Sequence, residues 1–124
     1  MKIINSNQAP AAIGPYSQAI QNGNITFISG QLPIDASTGK FAGTDIKSQA
    51  TQSLENTKYI VEEAGASMSN IVKTTILLAN IEDFAVVNEV YATYFVAPFP
   101  ARATYEVSKL PLGALIEIES IVCK

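Results

Sequence analysis

Residues 100–122 read PARATYEVSKLPLGALIEIESIV, and the alternation in the last nine decides the fold. Successive side chains of a strand point to opposite faces. Ile116, Ile118, Ser120 and Val122 therefore share one side, and Leu115, Glu117, Glu119 and Ile121 the other. The first side suits a core under helices. The second alternates carboxylates with large aliphatics, which suits packing against a partner subunit with a few polar groups held in a cleft between the two. RATYEVSK at 102–109 reads as a further strand, joined to 114–122 by a turn around LPLG, and the two strands are expected to pair with Arg102 and Glu117 in one cleft.

Working outward from that pair, Pro98 and Pro100 stop a helix that reaches about Val96 and carries Phe84, Val87, Tyr91, Tyr94 and Phe95 on one face. Asn80, with Asp83 three residues on, resembles its N-cap. IVKTTILLA at 71–79 is a β-branched apolar run, read as a buried strand. From Asp45 to Ala64, the residues Ile46, Ala50, Leu54, Thr57, Val61 and Ala64 recur every three or four positions, the stripe of an amphipathic helix, with Gly65 at its C-terminal cap. The stretch 30–44, with Pro33, Gly39 and Gly43, reads as a loop. SQAIQ (17–21) and NITFIS (24–29) flank Asn22-Gly23, a hairpin signal, and residues 2–5 form a short first strand. The order β, β, β, helix, β, helix, β, β predicts one α+β domain over residues 1–124, with two helices on one face of a mixed sheet.

A chain of 124 residues is long enough for one packed core, and two half-length domains would each be too small. Charged residues make up 15%, against roughly 25% in soluble domains, although a small domain has much surface to cover. Part of that surface is therefore expected to be buried in a homo-oligomer. The net charge is −3, and seven lysines and one arginine are scattered without a cluster, which gives nucleic-acid binding little support. The N-terminal MKIINSNQAP lacks the apolar core of a signal peptide, and no run approaches the ~18 apolar residues of a membrane span, so a cytoplasmic protein without membrane association is expected. The single Cys123 cannot form an internal disulfide and reads as a half-buried thiol at a strand end. The chain has no histidine, which removes Ser-His-Asp and Cys-His catalysis and His-ligated metals.

Chemistry is left to carboxylates, Tyr, Lys, Ser/Thr, Cys123, backbone amides and Arg102. As the only arginine, Arg102 presents a planar fork that matches a carboxylate. A structural ion pair with Glu117 or Glu119 is the other role open to it. A half-screened glutamate has a raised pKa and exchanges protons nearer neutrality, which makes Glu117 an acid–base candidate; spacing does not separate it from Glu119. Tyr16 follows Gly14-Pro15 and can line a pocket or simply pack. Ser29-Gly30 end a strand, where glycine lets a ligand approach the backbone or merely makes a turn. Asn88 lies mid-helix, where its type has no propensity reason to be. Gly39-Lys40 lacks the rest of a phosphate loop.

GPYSQA (14–19), ISGQLP (28–33), SLEN (53–56), VNEVY (87–91), PARATYEV (100–107) and LIEIE (115–119) fall in the order seen in reactive intermediate deaminases, so the whole chain resembles the Rid/YjgF-type family. The resemblance implies a chorismate-mutase-like α+β fold assembled as a homotrimer with three intersubunit clefts. It further implies hydrolysis of reactive enamine and imine acids, such as 2-aminoacrylate/2-iminopropionate, to 2-oxo acids and ammonia without metal or organic cofactor. On this resemblance Arg102 binds the substrate carboxylate, Glu117 handles the water and the departing ammonia, and Tyr16, Ser29, Gly30 and Asn88 line the cleft. Many enzymatic members carry a cysteine two residues after the arginine, where this chain has Thr104. Thr104 then either lines the pocket with a hydroxyl or marks altered specificity. The alternative reading is a non-catalytic trimeric binder of 2-oxo acids or amino acids that acts as a metabolic regulator. A ribonuclease reading, also proposed for relatives, is disfavoured by the lack of histidine and of a basic patch.

Overall fold

Asn22 and Gly23 turn the chain as the hairpin signal requires, Gly23 at φ +62°, in a computed structural model that describes residues 1–124. The hairpin strands are β2 (Ala19–Asn22) and β3 (Ile25–Gln31), and β1 (Lys2–Ile4) adds antiparallel to β2. The segment 30–44 is not a plain loop, because it holds a small hairpin of β4 (Ile34–Asp35) and β5 (Lys40–Phe41). Asp35 drives its turn by accepting from the Ser37 amide at 2.9 Å, and Asn56 clamps it by donating to the carbonyls of Leu32 and Ile34. Local side-chain bonds of this kind leave little periodic signal in the sequence.

Helix α1 (Ile46–Glu63) starts at Asp45, whose carboxylate accepts from the Ser48 amide, and ends before Gly65 at φ +77°. These are the two caps its sequence signals. Strand β6 (Ile71–Leu78) follows, then α2 (Phe84–Tyr91), entered through a short 3-10 turn at Ile81–Asp83 that Asn80 caps by accepting from the Glu82 amide. Helix α2 stops at Tyr91, not near Val96. Thr93 turns its hydroxyl onto the Val90 carbonyl at 2.6 Å, and the backbone tightens into three-residue turns while Phe95 stays buried.

Strands β7 (Ala101–Glu106) and β8 (Ile116–Cys123) complete a six-stranded sheet of order β1-β2-β3-β8-β6-β7. The expected pairing of the last two strands does not form. β7 lies parallel to β6 at the sheet edge, and β8 inserts antiparallel between β3 and β6. Burial explains the difference. On β8, Ile116, Ile118, Ser120 and Val122 are all buried, a row that needs cover on both flanks. On β7, Ala101, Arg102, Tyr105 and Glu106 are exposed, which suits an edge. The segment between them crosses the end of β6, helped by Leu112 (φ 59°) and Gly113 (φ 73°) in the left-handed region.

Both helices pack on one face of this mixed sheet. Leu54, Ile60 and Val61 of α1 and Val87 and Val90 of α2 join one core cluster with Ile76, Leu78, Ile116, Ile118 and Val122. No helix covers the other face, where the paired row Ile3, Ile20, Phe27, Ile121 leaves Ile3 66% and Phe27 50% exposed. Tyr105 is 55% exposed on the same side.

Candidate active site

The register of β6 and β7 sets Arg102 opposite Thr74, whose side chain is buried beneath α2, so Arg102 leaves the edge strand on the helix-bearing face. There α2 receives it. Nη1 donates to Asn88 Oδ1 at 2.9 Å, and the guanidinium carbon lies 5.3 Å from the Phe84 ring centre and 5.0 Å from that of Tyr91. Phe84, Asn88 and Tyr91 sit at i, i+4 and i+7, one face of the helix. The mid-helix asparagine thus has its reason: it holds the arginine. The Tyr91 hydroxyl is tied to Thr74 Oγ1 at 2.8 Å. Burial pushes its pKa up, against the opposing pull of Thr74 and Arg102. Beside the guanidinium lies an open cavity of about 450 Å³ lined by Asn88, Tyr91, Ala92, Phe99, Pro100 and Arg102. The chain's one ion pair joins Lys58 to Glu62, so neither Glu117 nor Glu119 neutralises Arg102. Within one chain the guanidinium has no carboxylate partner.

Glu117 belongs to the opposite face. It pairs with Leu77 on β6, between the buried Ile116 and Ile118, and so projects away from the helices. Its carboxylate rests on Gly30, where a Cβ would stand 2.5 Å from Oε2 and 2.8 Å from Cδ. Glycine is required here by close approach and not by a turn, because the bulge in β3 between Ile28 and Gln31 brings this backbone against β8. Burial raises the Glu117 pKa, and the charge on Glu119 raises it further. Glu119, exposed and paired with Thr75, shows no such seat. Geometry thus separates two glutamates that spacing could not.

The remaining candidates divide between these two places. Ser29 adjoins Gly30, its hydroxyl donating to the Ser17 carbonyl at 2.6 Å and its amide to the Gln18 carbonyl, which ties the 14–18 loop to β3. Tyr16 lies on that loop, 54% exposed. Thr104 follows Arg102 on the helix-bearing face, its hydroxyl oxygen buried without a hydrogen-bond partner. Arg102 and Glu117 do not share a cleft within one chain, contrary to the sequence expectation. They lie three residues apart along β6, about 10 Å, and two strand spacings apart, about another 10 Å, on opposite faces. Phe84 and Tyr91 were legible only as core positions. Their spacing from Asn88 was the available signal, and it needed the position of β7 to acquire meaning.

The family model described as Endoribonuclease L-PSP matches residues 6–124. The mouse 2-iminobutanoate/2-iminopropanoate deaminase is 48% identical over 120 residues, covering 97% of this chain and 89% of its own length. Among solved structures, the YjgF gene product of Escherichia coli superposes with a TM-score of 0.96 at 46% identity, covering 100% of this chain and 99% of the other. The E. coli protein TdcF, solved with bound serine, gives a TM-score of 0.96 at 42% identity, covering 100% and 99%. With a matching model over nearly its whole length, relatives near half identity and the same fold, the chain belongs to the Endoribonuclease L-PSP family, the Rid/YjgF-type group that its motifs resemble.

Proposed function

We propose that this chain hydrolyses reactive 2-enamine and 2-imine acids, such as 2-aminoacrylate and its tautomer 2-iminopropionate, to 2-oxo acids and ammonia. The relatives named as 2-iminobutanoate/2-iminopropanoate deaminases support the reaction class. The observation that carries it to this chain is the Glu117 carboxyl, seated on Gly30 and raised in pKa by burial, an acid–base group able to work nearer neutral pH. The Arg102 fork, lacking a carboxylate of its own, would take the substrate carboxylate. Glu117 would draw a proton from water as its oxygen adds to the C=N carbon. It would pass that proton to nitrogen to give the carbinolamine. It would then take the carbinolamine hydroxyl proton and deliver it to nitrogen as the C–N bond breaks, so that ammonia leaves and the carbonyl of the 2-oxo acid forms. An already electrophilic C=N needs little beyond such positioning.

In this reading the active cleft lies between subunits of a homotrimer, with Arg102 of one copy meeting Glu117 of the next. The opposite-face geometry favours this arrangement, and so does the uncovered apolar row Ile3, Ile20, Phe27, Ile121. Ser29, Gly30 and Tyr16 would line the Glu117 side, and Asn88 and Thr104 the Arg102 side. The test generates an imine in situ from an amino acid with an amino-acid oxidase or dehydratase and follows its lifetime with a trapping amine. Faster imine loss with the protein than with buffer is expected; an unchanged rate at high protein concentration would refute the proposal.

A further inference from the structure

We infer that Phe84 and Tyr91 are positioning residues that fix the plane in which Arg102 presents its fork, an inference that rests on the carboxylate-anchor reading above. An arginine on an exposed edge strand is ordinarily a long, freely rotating side chain. Here three side chains from successive turns of α2 restrict it. Phe84 and Tyr91 lie within cation–π range at 5.3 and 5.0 Å, and Asn88 takes one Nη1 donor at 2.9 Å. Asn88 has one acceptor oxygen, so it leaves the other guanidinium donors for a ligand in the adjacent 450 Å³ cavity.

The rings are themselves fixed. Tyr91 is tied through its hydroxyl to Thr74 on the strand that pairs with β7, and its ring stacks on Phe95 with centroids 4.3 Å apart. The orientation of Arg102 is thus referred to the sheet by two routes, its own backbone on β7 and the path Thr74, Tyr91, guanidinium. A lysine would use only part of this. Its ammonium can lie over a ring or donate to Asn88 but is a point charge with no plane to be fixed, which gives a physical reason for arginine at 102 in a chain whose other cations are all lysine.

The experiment measures binding of 2-oxobutanoate, a probe of the product class, together with KM, kcat and thermal midpoint. Phe84→Leu keeps apolar volume and removes the ring face. It should weaken probe binding about 2- to 5-fold, as expected for an exposed cation–π contact, and raise KM more than it lowers kcat. Phe84→Tyr should restore both. In an Arg102→Ala background, Phe84→Leu should cost nothing further, because there is no guanidinium left to orient. An equal loss in both backgrounds would overturn the inference, since the ring would then matter only as packing. Unchanged binding in Phe84→Leu beside a large loss in Arg102→Ala would overturn it too. Wild-type binding by Arg102→Ala would instead sink the anchor reading itself. Phe84→Met serves the same comparison where the leucine variant melts early.

Discussion

The two halves of the candidate site are built to different standards. Around Arg102, one chain supplies everything: a strand to place the side chain, a helix face to stack and hydrogen-bond it, and a cavity beside it. Around Glu117, one chain supplies a seat on Gly30 and an uncovered sheet face dotted with apolar residues. The cationic half can be rigid before anything binds, because guanidinium–aromatic contacts tolerate water. The acidic half depends on partial exclusion of water for its raised pKa; a covering subunit would exclude more water, while an Arg102 arriving with it would pull the other way. On the proposed reading, a site divided this way would leave each chain with an anion receptor but without a complete reaction centre.

That contrast can be broken most severely at the finished half. Arg102→Ala removes two or more charge-assisted hydrogen bonds to the carboxylate, and kcat/KM in the imine-trapping assay should fall about 100- to 10,000-fold. Glu117→Gln should cost about 100-fold, the low end for acid–base catalysis, since the C=N is electrophilic already. The folded chain holds the Glu117 proton more tightly than the unfolded chain does. Its stabilising contribution is therefore present below the ordinary glutamate pKa and is lost as pH rises through the raised value. Glu117→Gln should accordingly match or exceed the wild-type thermal midpoint at pH 7. Subunits carrying Arg102→Ala and Glu117→Gln, when mixed equally, should regain activity through the about one quarter of clefts that receive both native residues. No recovery once subunit exchange is verified would mean that Arg102 and Glu117 do not act together in one shared cleft.

Gly30→Ala probes the seat. Its Cβ would meet Glu117 Oε2 at 2.5 Å and push the carboxylate aside, so kcat should fall on the order of tenfold with little change in stability. The smallest effect belongs to Glu119→Gln, which removes a neighbouring negative charge and lets the Glu117 pKa fall. The acid limb of the pH–rate profile should then move to lower pH. A limb that stays in place would mean that Glu117 does not set it.

The elements were largely legible because their signals are local: Asn22-Gly23 for the hairpin, Asp45 and Gly65 for the limits of α1, strict alternation for β8. The order of strands was not. LPLG looks like a hairpin turn, and only the competition for buried positions reveals that β8 belongs inside and β7 at the edge. The same non-local fact governed the site. Arg102, Glu117 and Asn88 could be picked out by residue type, but their separation onto two faces follows from the intervening β6, and no spacing rule encodes that. The different surroundings of Glu117 and Glu119 likewise depend on a bulge in a strand nearly ninety residues earlier.

The insertion of β8 between β3 and β6 also sets a timetable for synthesis. A ribosome that has made everything up to residue 115 holds two unjoined pieces, the meander of residues 2–31 and the β6–β7 pair, each with an open edge. The strand that closes both edges, and brings Glu117 onto Gly30, is the last of the ten helices and strands described here to emerge. Until then the nascent chain presents the strand edges on which aggregation begins. Truncation upstream of β8 should therefore yield fragments that pellet after lysis, where the full chain stays in the supernatant.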